Sequence, residues 1–191
     1  MASYFPRCRM KLSKVIRVFV PLFLPVLLSG CGSAREEARL EEFSARLAEA
    51  ENTCFTAAMR CEYPDRVEDL TLHFEGGEEE CTVTVERPEN IAGIRARITE
   101  KGGALEYDGL ILDVGDISGI TPMSALPLIY GTLRTPFIDH VWSEGENTVY
   151  SLIQNDETWV NVWFTADMIP CRAEIVSGGT VAVHCEILDW S

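Results

Sequence analysis

The side chains that could ligate, transfer or react are few: seven cysteines, three histidines and one run of carboxylates. His73, His140 and His184 are far apart in sequence. None has a second His, Cys or carboxylate at a metal-binding spacing. His73 and His184 read as polar positions on strands. Glu78-Glu79-Glu80 follows Gly76-Gly77 and lacks the Asp/Asn/Gly spacing of a calcium loop, so it reads as a solvated turn. There is no nucleophile elbow, phosphate-cradling glycine loop or HExxH motif, and no Ser, His and Asp are brought together by spacing. The reading is of a protein that is not an enzyme, with no cofactor, no catalytic residue and no metal site.

Cys31 stands apart because of what precedes it. Arg7, Arg9, Lys11, Lys14 and Arg17 occur with no acidic residue among them, and Val18 to Leu28 then run almost wholly apolar. That apolar run, about a dozen residues with Pro21 and Pro25 inside it, falls short of the roughly 20 residues that carry a helix across a bilayer. Leu28-Ser29-Gly30-Cys31 follows and resembles the lipobox of bacterial lipoproteins, where the cysteine thiol takes a diacylglyceryl group. Residues 1–30 are therefore expected to be a cleaved signal peptide, residues 31–33 a lipidated tether and residues 34–191 a single domain. Met10 is an alternative start. The lipid would hold the domain at the extracytoplasmic face of the cell membrane. At about 0.8 kcal/mol per buried CH₂, two or three acyl chains anchor durably where one does not.

Five of the sixteen Lys and Arg precede Cys31, leaving eleven against thirty Asp and Glu and a formal charge near −19 from Cys31 onward. Such a surface repels phosphate backbones, which excludes nucleic acid as a partner. The 161 residues from Cys31 suffice for one domain with a sizeable core.

The elements that must position these residues follow from hydrophobic period. Leu40, Phe43, Leu47 and Ala50 recur at helical steps after Ser33, predicting an amphipathic helix over 34–52. From Phe55 the period becomes two. Phe55, Ala57, Met59, Cys61 and Tyr63 share one face, Leu70, Leu72 and Phe74 the same face of the next strand, and Cys81, Val83 and Val85 that of the third. A two-residue turn at Pro64-Asp65 would set Met59 opposite Leu70, Ala57 opposite Leu72 and Phe55 opposite Phe74. Further strands are expected around 94–98, 105–107 and 110–114, with a hairpin at Asp108-Gly109, and at 148–154, 159–164, 171–176 and 181–190. Thr121-Pro122 opens a second helix through about Leu133, with Pro127 as a kink. The sum is an α+β, mainly β fold: about ten antiparallel strands in a single curved sheet forming an incomplete, half-open β-barrel, lidded by an N-terminal and an inserted helix.

Several passages resemble the LolA/LolB family of periplasmic lipoprotein carriers and receptors and their relatives among lipoproteins of spore-forming bacteria. They are the helix entering Cys54 to Tyr63, Glu86-Arg87-Pro88-Glu89-Asn90-Ile91, Tyr107-Asp108-Gly109, and Trp163 to Ile175 with its turn and Pro170. The resemblance implies an apolar cavity that accepts an acyl chain, a lipid or a lipoprotein. Phe55, Met59, Leu70, Leu72, Phe74, Val83, Val85, Met123, Leu126 and Ile129 would be its lining. Without the resemblance these residues read as packed core. The family's soluble carriers lack an anchor, so a tethered receptor fits better than a shuttle. The alternative is a structural or regulatory envelope lipoprotein that binds a protein partner, for example in spore germination.

Five cysteines follow Cys31. Cys61 and Cys81 fall at opposite ends of their strands, roughly 20 Å apart at about 3.3 Å per residue, and should not bond. Cys171 and Cys185 flank a hairpin around Ser177 to Thr180 and are the pair that could form a disulfide. A five-residue loop would set them opposite each other, and a three-residue loop would offset them by two.

Lipidation predicts that Cys31→Ser abolishes palmitate incorporation and releases the protein from the membrane fraction, both read by metabolic labelling and fractionation. Unchanged membrane retention would contradict it.

Overall fold

The computed structural model describes residues 31–63, 65–77, 79–99, 101–115 and 121–191. Residues 1–30, where a cleaved signal peptide is expected, Pro64 of the first turn and Glu78 of the acidic run lie outside the described residues, as do the Cys31 side chain and the lipid expected on it. The chain divides into two compact units, Met1–Glu36 and Glu37–Ser191. Of the first, only the opening turns of a helix are described. The second holds the sheet.

That helix, α1, runs Cys31–Glu49. It starts three residues earlier than the apolar spacing predicts, so the expected tether is itself helical. It stops before residue 52 because β1 takes up extended pairing at Thr53. Leu40, Phe43 and Leu47 are buried as expected, and Ser44 beside them donates its hydroxyl to the Arg134 carbonyl at 2.7 Å.

The strands are β1 (Thr53–Glu62), β2 (Val67–Gly76), β3 (Glu80–Arg87), β4 (Arg95–Thr99), β5 (Gly102–Tyr107), β6 (Leu110–Gly115), β7 (Ile138–Glu144), β8 (Asn147–Asn155), β9 (Thr158–Phe164), β10 (Pro170–Ser177) and β11 (Thr180–Trp190), with helix α2 (Pro122–Arg134) inserted after β6. They form one antiparallel sheet in the order β6-β5-β4-β3-β2-β1-β11-β10-β9-β8-β7. The sheet is not closed into a barrel: β6 and β7 are its two edges. This is the mainly β, half-open architecture that the alternation predicts. The strand not foreseen is β7, where the pairing is interrupted by a bulge between Ile138 and His140 and Asp139, His140 and Glu144 blur the period.

The β1–β2 register is the predicted one, Phe55 on Phe74, Ala57 on Leu72 and Met59 on Leu70. The chain ends meet at its other side, where β1 pairs with β11. Strand β1 is therefore central, which explains its unbroken alternation. One apolar face passes from strand to strand in register, Phe55 to Phe74 to Val83 to Ala96. Helix α2 lies over this face, reaching β2, β3, β8 and β10. Thr121 caps it: its hydroxyl accepts from the Ser124 amide at 3.3 Å, while Ser124 Oγ accepts from the Thr121 amide at 2.8 Å. Pro122 then sits where no helix hydrogen bond is lost.

Gly76 permits the closest approach in this core. A Cβ there would stand 2.7 Å from Phe74 Cε1 and 2.9 Å from Tyr130 Cε1, two rings packed 5.0 Å apart. Phe74→Ala should cost about 3–5 kcal/mol by denaturant unfolding. Gly76→Ala should also destabilise by forcing both rings apart. A neutral Gly76→Ala would refute the close packing of Tyr130 on this strand.

Candidate functional site

The residues expected to line a cavity are brought together, but as a solid. Leu72, Phe74, Val83 and Leu126 have no accessible surface, Phe55, Met59, Leu70, Val85 and Ile129 are buried with them, and only Met123 is partly exposed. A side chain with no accessible surface cannot border a space large enough for water, still less a methylene chain. Leu126 and Ile129 of α2 occupy the face an acyl chain would use. The expected cavity walls are therefore core in this structure, because the inserted helix packs into the sheet where a lid would leave a lumen.

The expected disulfide is not formed. All five cysteines after Cys31 are free. The β10–β11 hairpin turns through two residues, Gly178 and Gly179, with a bulge at Ile175/Val176, and Cys185 lies opposite Ala173. Cys171 is thereby offset by two positions, and diagonal neighbours stand roughly 7–8 Å apart where a bridge needs Cβ atoms within about 4.5 Å. The Cys171 thiol instead donates to the Trp163 carbonyl at 3.4 Å.

A second site lies on the opposite, polar face, and the sequence pattern did not single it out. Its signal was the in-register rows of alternating polar residues, visible only once strands far apart in the chain are paired. One row reads Trp163, Arg172, Glu186, Ala58, Thr71, Arg87 and the next Asn161, Glu174, His184, Arg60, Asp69. The short side chains of Ala58 and Thr71 leave a depression between long neighbours. With Arg87-Pro88-Glu89 at one end, it becomes an open groove of about 860 Å³. Arg172 lies over the Trp163 ring, 4.4 Å from its centroid, and pairs with Glu174, which is largely buried. Glu174 also engages His184 Nδ1 at 3.0 Å, and Arg60 meets Asp69 at 3.3 Å.

These are ion pairs within and between neighbouring strands, so Arg60, Asp69, Arg172 and Glu174 are engaged with one another. Cys185 borders the groove, yet its thiol is buried in the core on the other face. A hydroxyl and an imidazole do meet elsewhere: Thr56 Oγ1 is 3.1 Å from His73 Nδ1, with Glu75 3.8 Å from the other ring nitrogen. That chain of groups sits mid-sheet, where the backbone amides are committed to the strand ladders and cannot serve an oxyanion. Among the described residues no three His, Cys, Asp or Glu side chains are grouped to hold a metal ion. No helix of the described residues is long and apolar enough to cross a membrane.

No protein-family model and no curated protein matches the chain. Among solved structures it is similar to a LolA superfamily protein from Nitrosomonas europaea, at 11% identity over 81% of this chain and 92% of that one, with a TM-score of 0.48. It is also similar to a chain in the structure of the CwlD amidase from Clostridioides difficile in complex with the GerS lipoprotein, at 12% identity over 81% and 94%, TM-score 0.47. A third is LprF from Mycobacterium bovis, at 11% identity over 83% and 95%, TM-score 0.36. The likeness is one of fold alone.

Burial pushes the Cys61 thiol from 9.0 up to about 11, with Glu68 and Asp69 adding to the effect, and burial likewise pushes Cys81 up to about 11 beside Glu80. Folded protein then keeps protons that the unfolded chain loses between pH 9 and 11, so stability should fall as pH rises through that window. Denaturant midpoints measured across it should decline, and the decline should be shallower in a Cys61→Ala/Cys81→Ala variant. An unchanged slope in that variant would assign the loss to other groups.

Proposed function

We propose that this chain is a lipid-anchored, non-enzymatic envelope lipoprotein, held at the extracytoplasmic face of the membrane through Cys31, and that it works by binding a protein partner at its surface. The packing of the expected cavity walls, which leaves Leu72, Phe74, Val83 and Leu126 with no accessible surface, carries this reading. An acyl chain bound between α2 and the sheet would have to displace Leu126 and Ile129, whose burial against Leu72, Phe74 and Val83 contributes about 1.5–3 kcal/mol for each large side chain. A surface contact needs no such rearrangement. The strong negative charge adds selectivity for basic partners and keeps the domain off anionic headgroups and nucleic acid.

A second reading, in which the apolar face accepts an acyl chain, a lipid or the lipidated end of another lipoprotein, is favoured by that face itself, which runs apolar from Phe55 through Phe74 and Val83 to Ala96 beneath α2.

Native mass spectrometry separates the two. Cys31→Ser protein, purified without detergent from the extracytoplasmic fraction, is expected at its polypeptide mass alone. Co-purification of an amphiphile in near one-to-one ratio, lost on Leu126→Glu substitution, would replace the partner reading with the acyl-chain reading.

A further inference from the structure

The geometry points to the open edge strand β6 as the docking surface for an extended, basic and apolar segment of a partner protein, added to the sheet as a twelfth antiparallel strand. This rests on the protein-partner reading above and names its surface and chemistry.

The two sheet edges are built differently. Strand β7 is blunted by Asp139, His140 and Glu144, as edges usually are. Strand β6 is not: Leu110, Ile111 and Leu112 are 75%, 68% and 62% exposed, and among the described residues no strand lies beyond them. The apolar row of the core continues outward to this strand, from Ala96 to Leu105 to Leu112. Leu105 is partly buried against the core and Leu112 is open, so the row ends one neighbour short of cover.

The backbone adds direction. Asp108 and Gly109, both with positive φ (49° and 79°), make the two-residue turn that closes the hairpin on the Tyr107–Leu110 pair. Such a closing pair exchanges both its hydrogen bonds, so Leu110 and Leu112 bond inward to β5 while the N–H and C=O of Ile111 and Asp113 point outward. Past Asp113 the pairing shifts by one residue, setting Gly115 opposite Gly103, and the Gly115 amide donates to the Asp113 carboxylate at 2.9 Å. Two outward residues with both groups presented suit a short added strand.

Three classes of occupant can be weighed. Hydrocarbon offers nothing to outward amides, which disfavours insertion of this edge into a bilayer. A second copy would bring another net charge near −19 and set Asp113 against the same edge. A partner strand carrying Lys or Arg opposite Ile111 and Asp113, and apolar side chains opposite Leu110 and Leu112, satisfies the backbone, extends the core row and meets Glu106, Asp108 and Asp113 with opposite charge.

The probe is a short acetylated and amidated peptide of alternating valine and lysine, with a control of the same sequence N-methylated on the residues that would bond to β6. Added to Cys31→Ser protein, the peptide should slow amide exchange at Ile111 and Asp113 and should bind about tenfold more weakly to Ile111→Pro, which removes one outward N–H from an edge position that tolerates proline. Leu110→Glu/Leu112→Glu, with the β5–β6 ladder intact, should weaken it as well. Equal binding of the N-methylated control would reduce the interaction to charge attraction and overturn the proposal. So would self-association of the protein abolished by Ile111→Pro, which assigns the edge to a second copy, or vesicle flotation abolished by Leu110→Glu/Leu112→Glu, which assigns it to the membrane. If Ile111→Pro still cross-links in cells to the same envelope protein as wild type, this edge is wrong while the partner reading stands.

Discussion

The seating of α2 on the apolar face over β2, β3, β8 and β10 is the contact on which the rest depends. Leu126, Ile129 and Leu133 fill the space over Leu72, Phe74 and Val83, and Gly76 lets the Tyr130 ring lie against Phe74. A sheet this wide, alternating so strictly, has an apolar face that must be covered by something. Here the cover comes from the chain itself. Among the described residues, the polar face and the edge strand β6 are what this cover leaves exposed.

The polar face is organised by the same registers that organise the core. Since β1 pairs with both β2 and β11, residues far apart in the chain stand side by side on this face, where Arg60 pairs with Asp69 across β1–β2 and Glu174 with Arg172 along β10 and with His184 across β10–β11. Glu174 is the most buried member, held between Arg172 and His184, and Arg172 is in turn supported by Trp163. Pairing of this kind keeps a strongly acidic protein from concentrating its repulsion on one face. Acidic groups in excess are then left for loops, turns and edges, where they bias the choice of partner without costing fold stability.

Much of the fold was legible in the sequence because period two is a local signal. From Phe55 to Val85 the alternation specified faces, and with one turn assumed it specified register to the residue. The capped start of α2 was equally readable, since Thr121 and Pro122 act on backbone groups within one helical turn. Strand β7 was not, because a bulge and polar side chains on an edge erase the period. The cysteine pair failed for a related reason: its geometry turned on loop length and one bulge, each of which shifts register by whole residues.

Composition and local order thus determined the lipobox-like segment before Cys31, the net charge, the two-faced strands and the start of α2, since each depends on residues a few positions apart. Whether the apolar face encloses a cavity or a packed helix depends on how far α2 sinks between side chains from four strands, a distance that no period encodes. The groove around Arg172, Glu174 and His184, the central place of β1 and the bare edge at Ile111 likewise exist only once β11 has returned to β1. Side chains more than a hundred residues apart became neighbours through backbone pairing, and that pairing is a property of the closed tertiary structure.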